Sequence, residues 1–173
     1  LLQTTQVRER QREIAAPGTG DGFHNLQATP DGGIWAGSAN RLLRIDTGQE
    51  FALGGAVFDL AADGDRGLWL GLEDGLAHFA AGRMERIAVT PALAGPVSAI
   101  LPDGDRLWLG TSHGATEVRR DATGAWHQVG APITLREGYG VRSILRDHEG
   151  TVWIGSNGQG LFRLTTPRIA VRR

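Results

Sequence analysis

Arg142-Ser-Ile-Leu-Arg-Asp-His-Glu-Gly-Thr-Val-Trp153-Ile-Gly155-Ser-Asn-Gly-Gln-Gly-Leu-Phe-Arg-Leu164 contains a short apolar strand, an acidic turn ending in glycine, a tryptophan strand, a polar turn and a second aliphatic strand. Aspartate and glycine tolerate the positive φ of a tight turn, so the first two segments form a hairpin. The same order recurs three times upstream. Asp31-Gly-Gly-Ile-Trp35-Ala-Gly37, Asp63-Gly-Asp-Arg-Gly-Leu-Trp69-Leu-Gly71 and Asp103-Gly-Asp-Arg-Leu-Trp108-Leu-Gly110 align on tryptophan, with the four indoles 34, 39 and 45 residues apart. A period near 40 residues is that of a propeller blade.

Each repeat supplies the remaining strands. Asn25-Leu-Gln-Ala-Thr, Val57-Phe-Asp-Leu-Ala, Val97-Ser-Ala-Ile-Leu and Val141-Arg-Ser-Ile-Leu precede the turns, while Leu76-Ala-His-Phe and Leu161-Phe-Arg-Leu follow the tryptophan strands. Met84-Glu-Arg-Ile-Ala-Val and Ala125-Trp-His-Gln-Val read as fourth strands. Leu68-Trp69-Leu70 and Leu107-Trp108-Leu109 are apolar on both faces, which demands cover on both sides. Blades stacked face to face provide it, with the tryptophans as wedges and Gly37, Gly71, Gly110 and Gly155 admitting close backbone approach. No 3.6-residue apolar stripe runs long enough for a helical alternative.

The fold expected is therefore all-β: a β-propeller of about four four-stranded blades, over residues 17–53, 54–90, 91–130 and 131–173. Residues 1–16 are expected to be outer strands of a preceding blade, with Gln6 to Ala15 read as strand rather than helix. Surplus strands at both ends would leave open edges, so the chain is read as an arc of a larger ring, with a self-closed ring of four as the lesser reading.

Composition excludes several functions. The 173 residues carry 18 basic and 19 acidic side chains, a net charge of -1, with every cation an arginine and none clustered. No basic field for nucleic acid exists. Absence of cysteine excludes disulfides, thiolate metal sites and a cysteine nucleophile. Apolar runs are far too short for a membrane helix, so no membrane contact by this segment is expected.

The pattern of apolar strand, Asp, Gly, Trp, aliphatic, Gly, Ser or Thr and then Gly-Leu resembles the two-component regulator propeller repeat. Residues 142–164 are the best copy, and Leu107-Trp-Leu-Gly-Thr-Ser-His-Gly114 is a good one. The first repeat departs most from the pattern, with Ala36 for the aliphatic and Asn40-Arg41-Leu42 for Gly-Leu, so an identical turn is not carried over to it. The resemblance spans about residues 23–166. It implies a seven-bladed, ligand-sensing propeller in the bacterial periplasm, joined in intact members to a membrane helix and an output module such as a histidine kinase or diguanylate cyclase. Neither output is present in this sequence.

Asp63-Gly-Asp65 and Asp103-Gly-Asp105 begin like calcium loops but lack the distal glutamate, and read as turns. Gly18-Thr-Gly-Asp-Gly22 lacks the strand and helix of a phosphate loop. His24, His78, His113, His127 and His148 show no metal spacing, so no metal, no cofactor and no catalytic group are expected.

If the first strand of each blade runs from rim to rim, the loops entering it and those after the tryptophan strand share one face, opposite the Asp-Gly turns. Loops carry function on such scaffolds. This loop face is expected to present His24, Asn25, Asn40, Arg41, Glu73, Asp74, His113, Arg136, Tyr139, Asn157 and Gln159. Mixed donors and acceptors with one aromatic suit a small molecule or oligosaccharide. The leading expectation is a non-catalytic sensor segment completed by further blades and signalling domains. The alternatives are a protein interaction scaffold, including a homodimer, and a propeller lyase or quinoprotein-like enzyme.

Overall fold

The structure, a computed structural model, describes residues 22–164. Sixteen strands and no helix occur among the described residues, grouped in four sheets arranged as propeller blades. Blade 1 contains β1 (Asn25–Ala28), β2 (Ile34–Gly37), β3 (Arg41–Arg44) and β4 (Gln49–Ala52). Blade 2 contains β5 (Val57–Ala62), β6 (Leu68–Leu72), β7 (Gly75–Ala80) and β8 (Arg83–Ile87). A short β9 (Val89–Thr90) leaves blade 2 and pairs in parallel with the outer strand of blade 3. Blade 3 is β10 (Val97–Asp103), β11 (Arg106–Thr111), β12 (Gly114–Arg120) and β13 (Trp126–Thr134), and blade 4 is β14 (Val141–Arg146), β15 (Val152–Ser156) and β16 (Leu161–Leu164). The strands expected at residues 1–16, and the surplus strand expected at the other end, lie outside the described residues.

Both faces of β6 are buried along its whole length, as its unbroken apolar pattern requires. Leu68, Leu70 and Leu72 pack toward blade 1 with Trp35, Leu42 and Val57, whereas Trp69 packs toward blade 3 with Val97, Leu107 and Trp126. A third cluster of Ala99, Val141, Val152 and Ile154 joins blades 3 and 4. The cores thus lie between blades, one per junction.

The glycine two residues after each tryptophan sets the spacing. A Cβ at Gly37 would stand 2.9 Å from Val57 Cγ1, at Gly71 2.3 Å from the Val97 carbonyl oxygen, and at Gly110 2.4 Å from Val141 Cγ1. In each case the neighbour is the first residue of the next blade's inner strand. Gly155 departs from this rule, because its neighbour is Ser143 of its own blade.

Side-chain bonds link the inner strands in series. Asn25 Nδ2 donates to the Val57 carbonyl at 3.1 Å, the Ile100 N–H donates to Asp59 at 2.7 Å, and Ser98 Oγ donates to the Val141 carbonyl at 2.6 Å. β5, β10 and β14 each carry a bulge at their second residue, Phe58, Ser98 and Arg142. Residues of β1, β5, β10 and β14 together line a channel of about 510 Å³.

Four expectations need correction. Trp35 and Trp69 are buried wedges, at 8% and 6% exposure, but Trp108 and Trp153 are only half-buried. No described blade covers the outer side of Trp153. Trp126, read only as part of a fourth strand, is instead a core residue set edge-on to Trp69. Val89, expected to extend the fourth strand of blade 2, pairs with Trp126 across the blade junction. β13 also runs through residues 130 and 131, where one blade was expected to end and the next to begin.

Candidate functional site

The chain enters each inner strand on the face that also carries the turns between second and third strands, because antiparallel neighbours reverse direction. At the junction of blades 3 and 4, three such segments meet. The Leu135 N–H donates to the His113 carbonyl at 2.9 Å, tying the linker before β14 to the turn after β11. The Asn157 N–H donates to the Gly140 carbonyl at 2.8 Å, and the Arg136 N–H to Gln159 Oε1 at 3.2 Å, tying the same linker to the turn after β15.

His113, Arg136, Tyr139, Asn157 and Gln159 are thereby gathered on one patch. A cavity of about 470 Å³ opens within it, lined by Ser112, His113, Thr134, Leu135 and Arg136. Ser112 Oγ lies 2.9 Å from His113 Nδ1. Tyr139 is 38% exposed, and its ring rests on Gly158, where a Cβ would fall 2.5 Å from Cε1. Gly158 has φ +99°, so a side chain there is disfavoured twice. The concavity offers a guanidinium, an imidazole and the Glu137 carboxylate, with the Tyr139 phenol and the Asn157 and Gln159 amides beside it on the same patch. Ser112, Thr134 and Leu135 were not singled out from sequence, although Ser112 flanks His113 and Leu135 flanks Arg136.

The other residues expected on this face are placed apart. Asn25 is spent on the Val57 carbonyl as a link between inner strands. Arg41 packs over the Phe23 ring at 5.7 Å and pairs with Glu50 at 3.4 Å. Asn40 accepts the Leu53 N–H at 2.7 Å through its carbonyl, which stabilises the chain leaving blade 1. His24 and Glu73 are exposed, and Asp74 is ion-paired with Arg86. The turn of blade 1 is indeed different: Arg41 stands where Gly75 and Gly114 adopt φ +127° and +144°.

Asp63 and Asp103 lie in turns but spend their side chains on Arg66 and His78 and on Arg146, whereas Asp147 bonds the backbone of its own turn. In blade 4, Asp147 accepts the Glu149 and Thr151 N–H groups at 3.0 and 2.9 Å, and the Trp153 indole N–H at 2.7 Å. That indole bond, followed by the backbone bonds, holds the Asp147 carboxyl below the usual carboxylate range. The Arg146 guanidinium does the same for Asp103, across blades, at 2.5 and 2.6 Å. In the channel the opposite happens. Burial pushes the Asp59 carboxyl up to about 6, against N–H bonds from Ile100 and Leu60 that favour its charged form. Among the described residues, no group of three His, Asp or Glu side chains is placed to hold a metal ion.

Residues 135–158, which bear Arg136, Tyr139 and Asn157, match the family model described as "Two component regulator propeller". No curated protein matches the sequence. Among solved structures, the extracellular domain of the putative one component system BT4673 from B. thetaiotaomicron superposes with a TM-score of 0.69 at 17% identity, over 91% of this chain and 22% of that one. A catalytically inactive virginiamycin B lyase from Staphylococcus aureus, with quinupristin, gives 0.69 at 21% identity over 89% and 56%. The computationally designed Ika4 protein gives 0.64 at 14% identity over 90% and 98%. The chain spans about a fifth of the first of these and over half of the second. Its described residues form four propeller blades, and residues 135–158 match the two component regulator propeller model.

Proposed function

We propose that this segment is the non-catalytic recognition part of a bacterial sensor outside the cytoplasm, and that the patch at the junction of blades 3 and 4 binds a polyhydroxylated ligand. One observation carries the reading: the stretch that matches the regulator propeller model supplies Leu135, Arg136, Tyr139 and Asn157 of the patch, which Ser112, His113, Thr134 and Gln159 complete. Arg136 and the Asn157 and Gln159 amides supply donors and acceptors, and Tyr139 supplies an apolar ring face, the combination that orients a sugar without charge selection. Calorimetric titration of the chain with a panel of neutral oligosaccharides tests it. Saturable binding by at least one member, weakened tenfold or more by Arg136→Ala or Tyr139→Ala at unchanged melting temperature, is expected. Absence of saturable heat across the panel rejects the glycan reading.

A second reading, as an interaction scaffold, is favoured by a separate observation. Leu145 and Leu161 are 63% and 66% exposed on the outer side of blade 4, and Leu26 is 70% exposed in blade 1. Under this reading those faces are covered by further blades of a larger ring or by a second copy. Ligand-independent association that rises with protein concentration in sedimentation would favour it.

A further inference from the structure

On the opposite face, among the Asp-Gly turns, a cleft of about 1040 Å³ opens between blades 2 and 3. Its volume reaches the upper end of the range typical of small-molecule sites. Trp69 lies in its lining, tilted against His78 with ring centroids 4.6 Å apart and edge-on to Trp126 at 5.3 Å. The Trp69 side chain is buried, and its indole N–H has no acceptor among the described residues. A buried donor without a partner is costly and calls for one.

The repeat itself shows what is missing. In blade 4 the aspartate six residues before the tryptophan accepts the indole N–H, as Asp147 does from Trp153. Asp63 holds that position before Trp69, but Arg66 occupies Oδ1 at 2.7 Å and His78 occupies Oδ2 at 3.1 Å. The acceptor used by Trp153 is therefore engaged elsewhere in blade 2. The corresponding space between blades 1 and 2 differs again: there Trp35 is packed by Phe51 and Phe79 at 6.0 and 5.6 Å, and the cavity beside them is smaller, about 430 Å³.

Charge in the cleft is close to balanced. Arg66 and Arg86 are held by Asp63 and Asp74, and Asp121 lies 2.9 Å from His127 Nε2, while exposed Glu85, Asp105 and Arg120 stand at the rim as acceptors and a donor. Such a lining selects neither a strong anion nor a strong cation. We propose that this cleft is a second binding site, for an uncharged polyhydroxylated ligand of about disaccharide size. A ligand oxygen accepts the Trp69 indole N–H, and hydroxyl groups bridge Glu85 and Arg120.

The indole N–H resonances in a ¹H–¹⁵N spectrum of the whole chain read this directly, with Trp69→Phe identifying the signal. Cellobiose, maltose and xylobiose are the probes. The expected result is a saturable shift of the Trp69 resonance with at least one disaccharide, at least tenfold weaker in Glu85→Ala and Arg120→Ala and unchanged in Arg136→Ala. Should Trp69→Phe fail to fold, the signal is assigned by triple-resonance spectra of the wild type. No shift with any probe overturns the site, as does a shift indifferent to Glu85→Ala and Arg120→Ala. A shift lost in Arg136→Ala assigns the effect to the loop face instead and also overturns it.

Discussion

Asp59 and Asp103 are both tied to a neighbouring blade, yet they respond to pH in opposite senses. Burial raises the Asp59 carboxyl to about 6, so its contribution to stability is fully present below its unfolded value near 3.8 and is lost as pH rises through 6. Asp59→Asn stays neutral throughout. The stability of wild type relative to this variant is expected to fall by on the order of 2–3 kcal/mol between pH 4 and 7, measured by urea unfolding. Arg146 lowers Asp103, whose contribution is present above its unfolded value and is lost as pH falls. Gly71 acts through space rather than charge. A Cβ there would meet the Val97 carbonyl oxygen at 2.3 Å, so Gly71→Ala is expected to cost about 1–3 kcal/mol, whereas Gly54→Ala, where nothing lies within 4 Å, should leave the midpoint almost unmoved.

At the scale of the strand, the four tryptophans share a position but not an environment. Their partners across the hairpin are Arg44, His78, Glu117 and Arg163, polar in every case. Arg44 and Arg163 lie over the Trp35 and Trp153 rings at 5.5 and 5.6 Å. Burial separates their energetics. Trp69→Ala opens a core cavity and is expected to cost about 3–5 kcal/mol. Trp153→Ala, half-buried, is expected to cost about 1–2 kcal/mol by lost area. Thermal or denaturant unfolding of the pair should preserve that order, and equal losses would show that Trp153 is covered in solution. The bidentate Arg146–Asp103 bridge joins the inner strands of blades 3 and 4, with both side chains one-third exposed. A double-mutant cycle should give a coupling of about 0.5–1 kcal/mol, reduced by salt.

Over the whole molecule, each core belongs to a junction and none to a single sheet, so stability passes from blade to blade. The outer apolar faces test whether that series continues. If Leu145 and Leu161 face solvent in the isolated chain, Leu145→Arg and Leu161→Arg should each change stability by less than about 0.5 kcal/mol. If a second copy covers them, the same variants should abolish concentration-dependent sedimentation.

The strands, turns and repeat register were legible in the sequence because they rest on local rules. Alternation, or its absence in Leu68-Trp69-Leu70, follows from side-chain period, and Asp-Gly turns follow from backbone freedom at each hairpin. Even the deviant turn at Asn40-Arg41 was visible as a missing glycine. Part of the loop-face patch was legible for the same reason, since topology places all such turns on one face. The sequence could not show that Arg136, Tyr139 and Gln159 meet while Asn25 and Asp74 are spent on other bonds, because those partners are distant or set by local curvature.

What the sequence by itself determined is the repeating sheet and its face-to-face stacking, which need only local geometry and apolar pattern. Tertiary structure alone decided which tryptophans are wedged between blades, that Asp63 turns to His78 and leaves the Trp69 N–H without an acceptor among the described residues, and that partial burial raises the Asp59 carboxyl to about 6. These outcomes depend on which neighbour desolvates or occupies a group, and that neighbour sits one blade, or one hairpin, away in the chain.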